Sequence, residues 1–208
     1  MARTGNRSSR SAGAQGGVVR ARLPEVRLPS LVAYGAEGLE PDGDYDGVLF
    51  EETDLADASG PGARFLDCEL RGCALDRAEL TRSRFIDSVL KGVRGVGTDL
   101  SGASLRDVEV LDARLGGVQL HGAVLERVLV RGGKIDYLNL RKARLKDVVF
   151  EGCVLSVGLI RFDGHSRSGV QPREDVHHGE YGEEEASPPS SFVHAGVQGR
   201  DRRAVPTR

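Results

Sequence analysis

Four groups of residues in this 208-residue chain are of types that perform chemistry. Cys68, Cys73 and Cys153 are the only thiols, and with histidines they would be soft metal ligands. His177 and His178 with Glu180 form a second metal-like tract. Asp67, Asp87, Asp107 and Asp147 recur at multiples of 20, with Arg64, Arg84 and Arg144 three residues before the matching aspartate, a spacing that could pair acids with bases. The run Gly92-Val93-Arg94-Gly95-Val96-Gly97 is glycine-rich in the manner of phosphate loops, but it does not end in Gly-Lys-Ser/Thr. No Gly-X-Ser-X-Gly elbow occurs, nor any nucleophile and base at a recognisable spacing.

What must position these residues is a periodic body. From Phe50 to Ile160 an apolar residue returns at every fifth position, and only Gly60 and Gly95 interrupt it. Two residues before each of these large side chains stands a small or β-branched one, as in Ala63, Cys68, Cys73, Ala78, Ser83 and Ser88, with Leu138 the bulky exception. A period of five fits neither the 3.6 of a helix nor the 2 of a strand. One large and one small inward residue per five describe a chain that turns a corner every five residues and closes a square coil in 20. The three cysteines fall on the small inward positions, where a thiol acts as a compact hydrophobe. The aspartates and arginines fall outside, in ladders that contribute little each. No catalytic, cofactor-binding or metal-binding residue is therefore assigned.

Units such as Ala78-Glu79-Leu80-Thr81-Arg82, Ala103-Ser104-Leu105-Arg106-Asp107 and Ala113-Arg114-Leu115-Gly116-Gly117 resemble those of pentapeptide-repeat proteins, in the pattern Ala-(Asp/Asn)-Leu-X-X. Most units here lack the Asp or Asn, which Asp54, Asp99 and Asn139 keep. The resemblance implies an all-β fold, a right-handed quadrilateral parallel β-helix, with no catalytic activity and no cofactor. Some members of that family resemble B-form DNA in width and negative charge, bind DNA gyrase and so protect against quinolones. The function expected is a bacterial scaffold or protein-interaction protein; the alternative is a DNA-mimicking gyrase binder.

Charge is distributed unevenly for mimicry. The net charge is -2, but Asp46 to Leu80 is strongly acidic, whereas from Glu126 to Ile160 the bases Arg127, Arg131, Lys134, Arg141, Lys142, Arg144 and Lys146 outnumber the acids. Nothing in this balance calls for direct nucleic-acid binding. An odd cysteine count, no apolar h-region near the N-terminus and no run long enough to span a membrane fit a reducing cytoplasm.

The boundaries expected are a disordered basic tail over 1–22, a cap or lead-in over 23–47 whose Pro24 and Pro29 disfavour helix, the β-helix over 48–160, and a disordered tail over 161–208. The outward positions of the Phe50 face carry Leu49, Val89, Leu111, Leu129 and Val149, an exposed apolar row suited to a protein partner. Local bulging is expected at Gly60 and Gly95. No segment obviously covers the last coil, so a β-helix end could pair with a second copy.

Overall fold

The computed structural model describes residues 21–35 and 38–156, and the backbone of Val170–Pro172. All its regular elements are strands: β1 (Val32–Ala33), β2 (Asp44–Asp46), β3 (Val48–Glu51), β4 (Arg64–Leu66), β5 (Glu69–Arg71), β6 (Arg84–Lys91), β7 (Arg94–Val96), β8 (Ser104–Leu111), β9 (Arg114–Gly116), β10 (Val124–Arg131), β11 (Lys134–Asp136), β12 (Arg144–Glu151), β13 (Val154–Ser156) and β14 (Val170–Pro172). They form a parallel β-solenoid of about six turns.

The corners obey one rule. Every fifth residue from Asp42 to Gly152 has a positive φ, so the chain bends at each unit. Gly and Asp hold most of these places because they tolerate the left-handed region best, but Glu52, Arg77, Arg82, Arg127, Tyr137 and Lys142 are also there. Some corners are tight turns, in which the Leu80 carbonyl accepts from the Ser83 N–H (3.2 Å) and that of Leu100 from Ala103 (3.0 Å). Others, at Asp87, Asp107, Arg127 and Asp147, lie inside the eight-residue strands β6, β8, β10 and β12.

Successive coils pair in a 20-residue register, with Phe65 over Phe85 over Leu105 over Leu125 over Leu145. Large side chains thus stack on large ones, and Ala63, Ser83, Ala103 and Ala123 on one another, all buried. The first coils concentrate the rings: Phe65 and Phe85 lie 4.5 Å apart and nearly parallel, Tyr45 stacks on Phe65 at 5.1 Å, and Tyr34 sits 4.3 Å from Phe50. At the inward small positions Ser88 Oγ donates to the Ile86 carbonyl (2.8 Å) and accepts from the Cys68 N–H (3.1 Å), while Thr98 Oγ1 donates to the Leu75 carbonyl (2.8 Å).

The structure departs from the sequence reading at the ends and at the glycines. The solenoid register begins before residue 48, because β2 already pairs Asp44 with Arg64 and Asp46 with Leu66. The segment before residue 48 also continues the stack, since β1 pairs Val32 with Val48 and Ala33 with Leu49. At the far end Val170–Pro172, expected to be disordered, pairs with Val148–Phe150 and so covers that edge of the last coil. Residues 1–20, and most of the tail beyond residue 156, lie outside the described residues.

Neither glycine bulges. Gly60 keeps the backbone bond to the Glu79 carbonyl at 2.9 Å, and a Cβ there would lie 3.0 Å from Leu39 Cβ, so a cap side chain fills the space that the absent large residue leaves. Gly95 sits in regular pairing with Leu115, and a Cβ there would lie 2.7 Å from the Leu75 carbonyl carbon. Close backbone approach, and not a missing side chain, accounts for Gly95.

Candidate interaction surface

With both inward positions of each unit taken by packing, the groups available for recognition are those on the outer columns, repeated coil by coil. Ion pairs join neighbouring coils along several of these columns: Arg64 to Asp44 (3.3 Å), Arg77 to Asp57 (2.6 Å), Arg131 to Glu151 (2.9 Å) and Lys146 to Glu126 (2.7 Å). Exposed pairs of this kind add little stability, but each fixes two long side chains at one address. The Arg77 hydrogen bonds hold the Asp57 carboxyl below the usual carboxylate range, and those of Lys146, then Arg127, do the same for Glu126.

The aspartate ladder lies on the αL corners, where Asp67, Asp87 and Asp107 are followed by Arg127 and then Asp147. Arg127 grips Asp107 with two bonds, of 2.5 and 2.6 Å, and its guanidinium is held above its usual pKa by them. Asp87, above that pair, has its carboxyl pushed up, first by burial and then by the charges of Asp107 and Asp67. The arginines three residues earlier belong to a different column, and Arg64 pairs with Asp44 instead.

Cys68, Cys73 and Cys153 are free and buried at inward positions, Cys68 in one column and the other two in another. Burial pushes the Cys68 thiol up to about 11 and raises those of Cys73 and Cys153, which disfavours the reactive thiolate. The glycine-rich run around Gly95 is strand β7 between two corners, Gly92 and Gly97. Among the described residues no three His, Cys, Asp or Glu side chains converge to hold a metal. His177, His178 and Glu180 lie outside the described residues.

The exposed apolar row requires correction. Leu49, Val89, Leu129 and Val149 do share one outer column, but with Glu69 and Glu109 interposed. Leu111 belongs to another column, paired with Lys91 and Arg131. Leu129 and Val149 are buried at 3% and 1% exposure, and Leu49, Val89 and Leu111 are half-buried. The 20-residue register itself separates these residues, and what it does not give is the cover over Leu129 and Val149.

Among the described residues, the large apolar side chains that do face solvent are Val32 on β1 and, on the coils that follow, Val96, 64% exposed, and Tyr137, 57% exposed. The latter two stand two coils apart at one corner of the rod, and the coil between them presents Gly116 and Gly117. A shallow concavity of about 470 Å³ opens here, lined by Val96, Arg114, Leu115, Gly116, Lys134 and Asp136 among others. Leu115 is partly exposed at its floor, beside Gly116. The same register arithmetic gives this address; the missing signal was that Gly116 and Gly117, on the coil between Val96 and Tyr137, leave both uncovered.

Residues 63–140 match the family of the pentapeptide repeat region. No curated protein matches the chain. Among solved structures, a trypsin-treated variant of QnrB1, a plasmid-mediated fluoroquinolone resistance protein, is 16% identical, with 55% of this chain and 68% of that chain covered and a TM-score of 0.36. HetL, a pentapeptide repeat protein involved in heterocyst differentiation regulation from the cyanobacterium Nostoc sp. strain PCC 7120, is 21% identical, with 56% and 61% covered and a TM-score of 0.26.

Proposed function

We propose that this chain, whose residues 63–140 match the pentapeptide repeat region, is a non-catalytic, cytoplasmic interaction protein that presents a rigid outer surface to a protein partner. The observation that carries this reading is the division of labour between inside and outside. Inward side chains stack to form the core, whereas the outer ladders, tied together at 20-residue intervals, hold polar groups at a fixed rise of about 4.8 Å per coil. A surface of that kind enters a complex with little side-chain entropy left to lose. Three buried free thiols support a reducing compartment.

The alternative, DNA-like binding to gyrase, draws on the acidic first coils, with Asp42, Asp44, Asp46, Glu51, Glu52, Asp54 and Asp57. The later coils carry the opposite sign, so the rod does not offer one continuous acidic face. A gyrase supercoiling assay with purified full chain separates the readings: supercoiling is expected to proceed unchanged, and inhibition at near-stoichiometric ratios would replace the scaffold reading by mimicry.

A further inference from the structure

Arg94, Arg114 and Lys134 stand directly over one another on β7, β9 and β11, one per coil. Like charges opposite one another in adjacent strands destabilise a sheet. Elsewhere on the described coils basic residues meet two at a time, as Arg64 with Arg84 and Arg71 with Lys91, whereas here three follow in succession. Here Arg94 donates to the Gly72 carbonyl (2.8 Å), Lys134 pairs with Asp136 (2.9 Å), and the Arg114 guanidinium has neither a hydrogen bond nor an ion pair with the described residues, its backbone N–H alone donating to the Val93 carbonyl (2.8 Å). All three are exposed. Beside this cationic column lies the concavity floored by Leu115 and bordered by Val96, with Tyr137 at the next corner.

Resting on the reading above, we propose that this corner is a docking site for an extended acidic segment of another protein, which seats one aliphatic or aromatic side chain against Leu115 and Val96 and turns carboxylates toward Arg94, Arg114 and Lys134. The complementarity is one of charge and of shape. The concavity is large enough for an aromatic side chain, and in an extended chain the residues two before and two after the anchor face the same side, about 6.6 Å from it. Long arginine and lysine side chains reach that far along the column. Carboxylates accept paired N–H bonds from guanidinium groups, and at Arg114 no bond within the described chain has to break first.

The test is fluorescence anisotropy with the full chain and a labelled ten-residue peptide that has a central Phe flanked by Glu at both i−2 and i+2. Saturable binding is expected, weakened at least tenfold by Arg114→Glu with Lys134→Glu and at least fivefold by Val96→Ser, with circular dichroism unchanged in each variant. A peptide with Lys for Glu, or Ser for Phe, is expected to bind at least tenfold more weakly. No binding, binding indifferent to Arg114→Glu, or tighter binding of a ten-nucleotide oligothymidylate would overturn the proposal. So would a gain in peptide affinity on Glu183→Lys, Glu184→Lys and Glu185→Lys, because the chain's own acidic run would then be the occupant. A partner that binds the full chain but ignores Arg114→Glu would leave the scaffold reading standing and remove this one.

Discussion

Leu39 lies over Gly60 and fills the place of the large side chain that this unit lacks: a Cβ at Gly60 would come within 3.0 Å of Leu39 Cβ. The cap is thereby part of the core, since Leu39 is buried in the same cluster as Phe65, Leu80 and Ala63. Leu39→Ala is expected to lower stability by about 2–3 kcal/mol through the cavity it opens. Gly60→Leu in that background should recover part of the loss, although in the wild-type chain the same change should destabilise. Urea titration of the four proteins in this cycle gives the coupling, and additivity of the two changes would contradict the contact.

At Gly95 the expectation has the opposite sense from a simple gap. Any Cβ meets the backbone of Leu75 and Asp76, so Gly95→Ala should destabilise by on the order of 2 kcal/mol even though it adds apolar volume to an apolar column. A stability gain on thermal or urea unfolding would show that the space was vacant.

Two serines on neighbouring faces of one coil make a matched pair. Ser88 Oγ is bonded to Ile86 and Cys68, whereas Ser83 Oγ is buried between Ala63 and Ala103 with no partner among the described residues. Ser83→Ala should raise stability by about 1 kcal/mol, and Ser88→Ala should lower it by about 1–2 kcal/mol by leaving the Cys68 N–H unbonded. Equal effects of the two, read by chemical denaturation, would refute the difference in bonding.

Asp87 sets a pH dependence. Its carboxyl is raised by burial and by Asp107 and Asp67, so the folded chain binds this proton more tightly than the unfolded chain. The resulting stabilisation is fully present below the ordinary carboxylate pKa and is lost as pH rises through the raised value. Asp87→Asn, which retains tolerance of the αL corner, should therefore be more stable than wild type at neutral pH, with the gap closing on acidification. Urea midpoints of both proteins measured across pH 3 to pH 7 check the direction, and a gap that widens toward low pH would reverse the sign.

Much of this was legible in the sequence because packing in a solenoid is periodic. Given the return of Phe65, Phe85 and Leu105, the face and level of every residue follow, including the inward cysteines. What could not be read was whatever breaks the period or adds to it. β1 sits 16 residues, not 20, before its partner on β3, and β14 sits 22 after its partner on β12, so neither could be found by adding 20. The same blindness misjudged the apolar row: Leu129 and Val149 occupy outward positions, and only coordinates reveal that they are covered. The Val96–Tyr137 corner, in contrast, was written in the register, but it becomes visible only when glycines are read as absent cover for their neighbours.

The central claim is that this rod works by binding a protein through its outer surface. The most direct measurement is isothermal titration calorimetry between the purified full chain and a partner obtained by affinity capture from the source cells and then purified on its own. Saturable binding at a fixed stoichiometry, undiminished by Cys68→Ala or Cys153→Ala in folded protein and weakened by charge reversal on an outer column, is the predicted result. Captured proteins that show no saturable heat once purified, or whose binding follows the buried thiols and ignores every outer column, would contradict it.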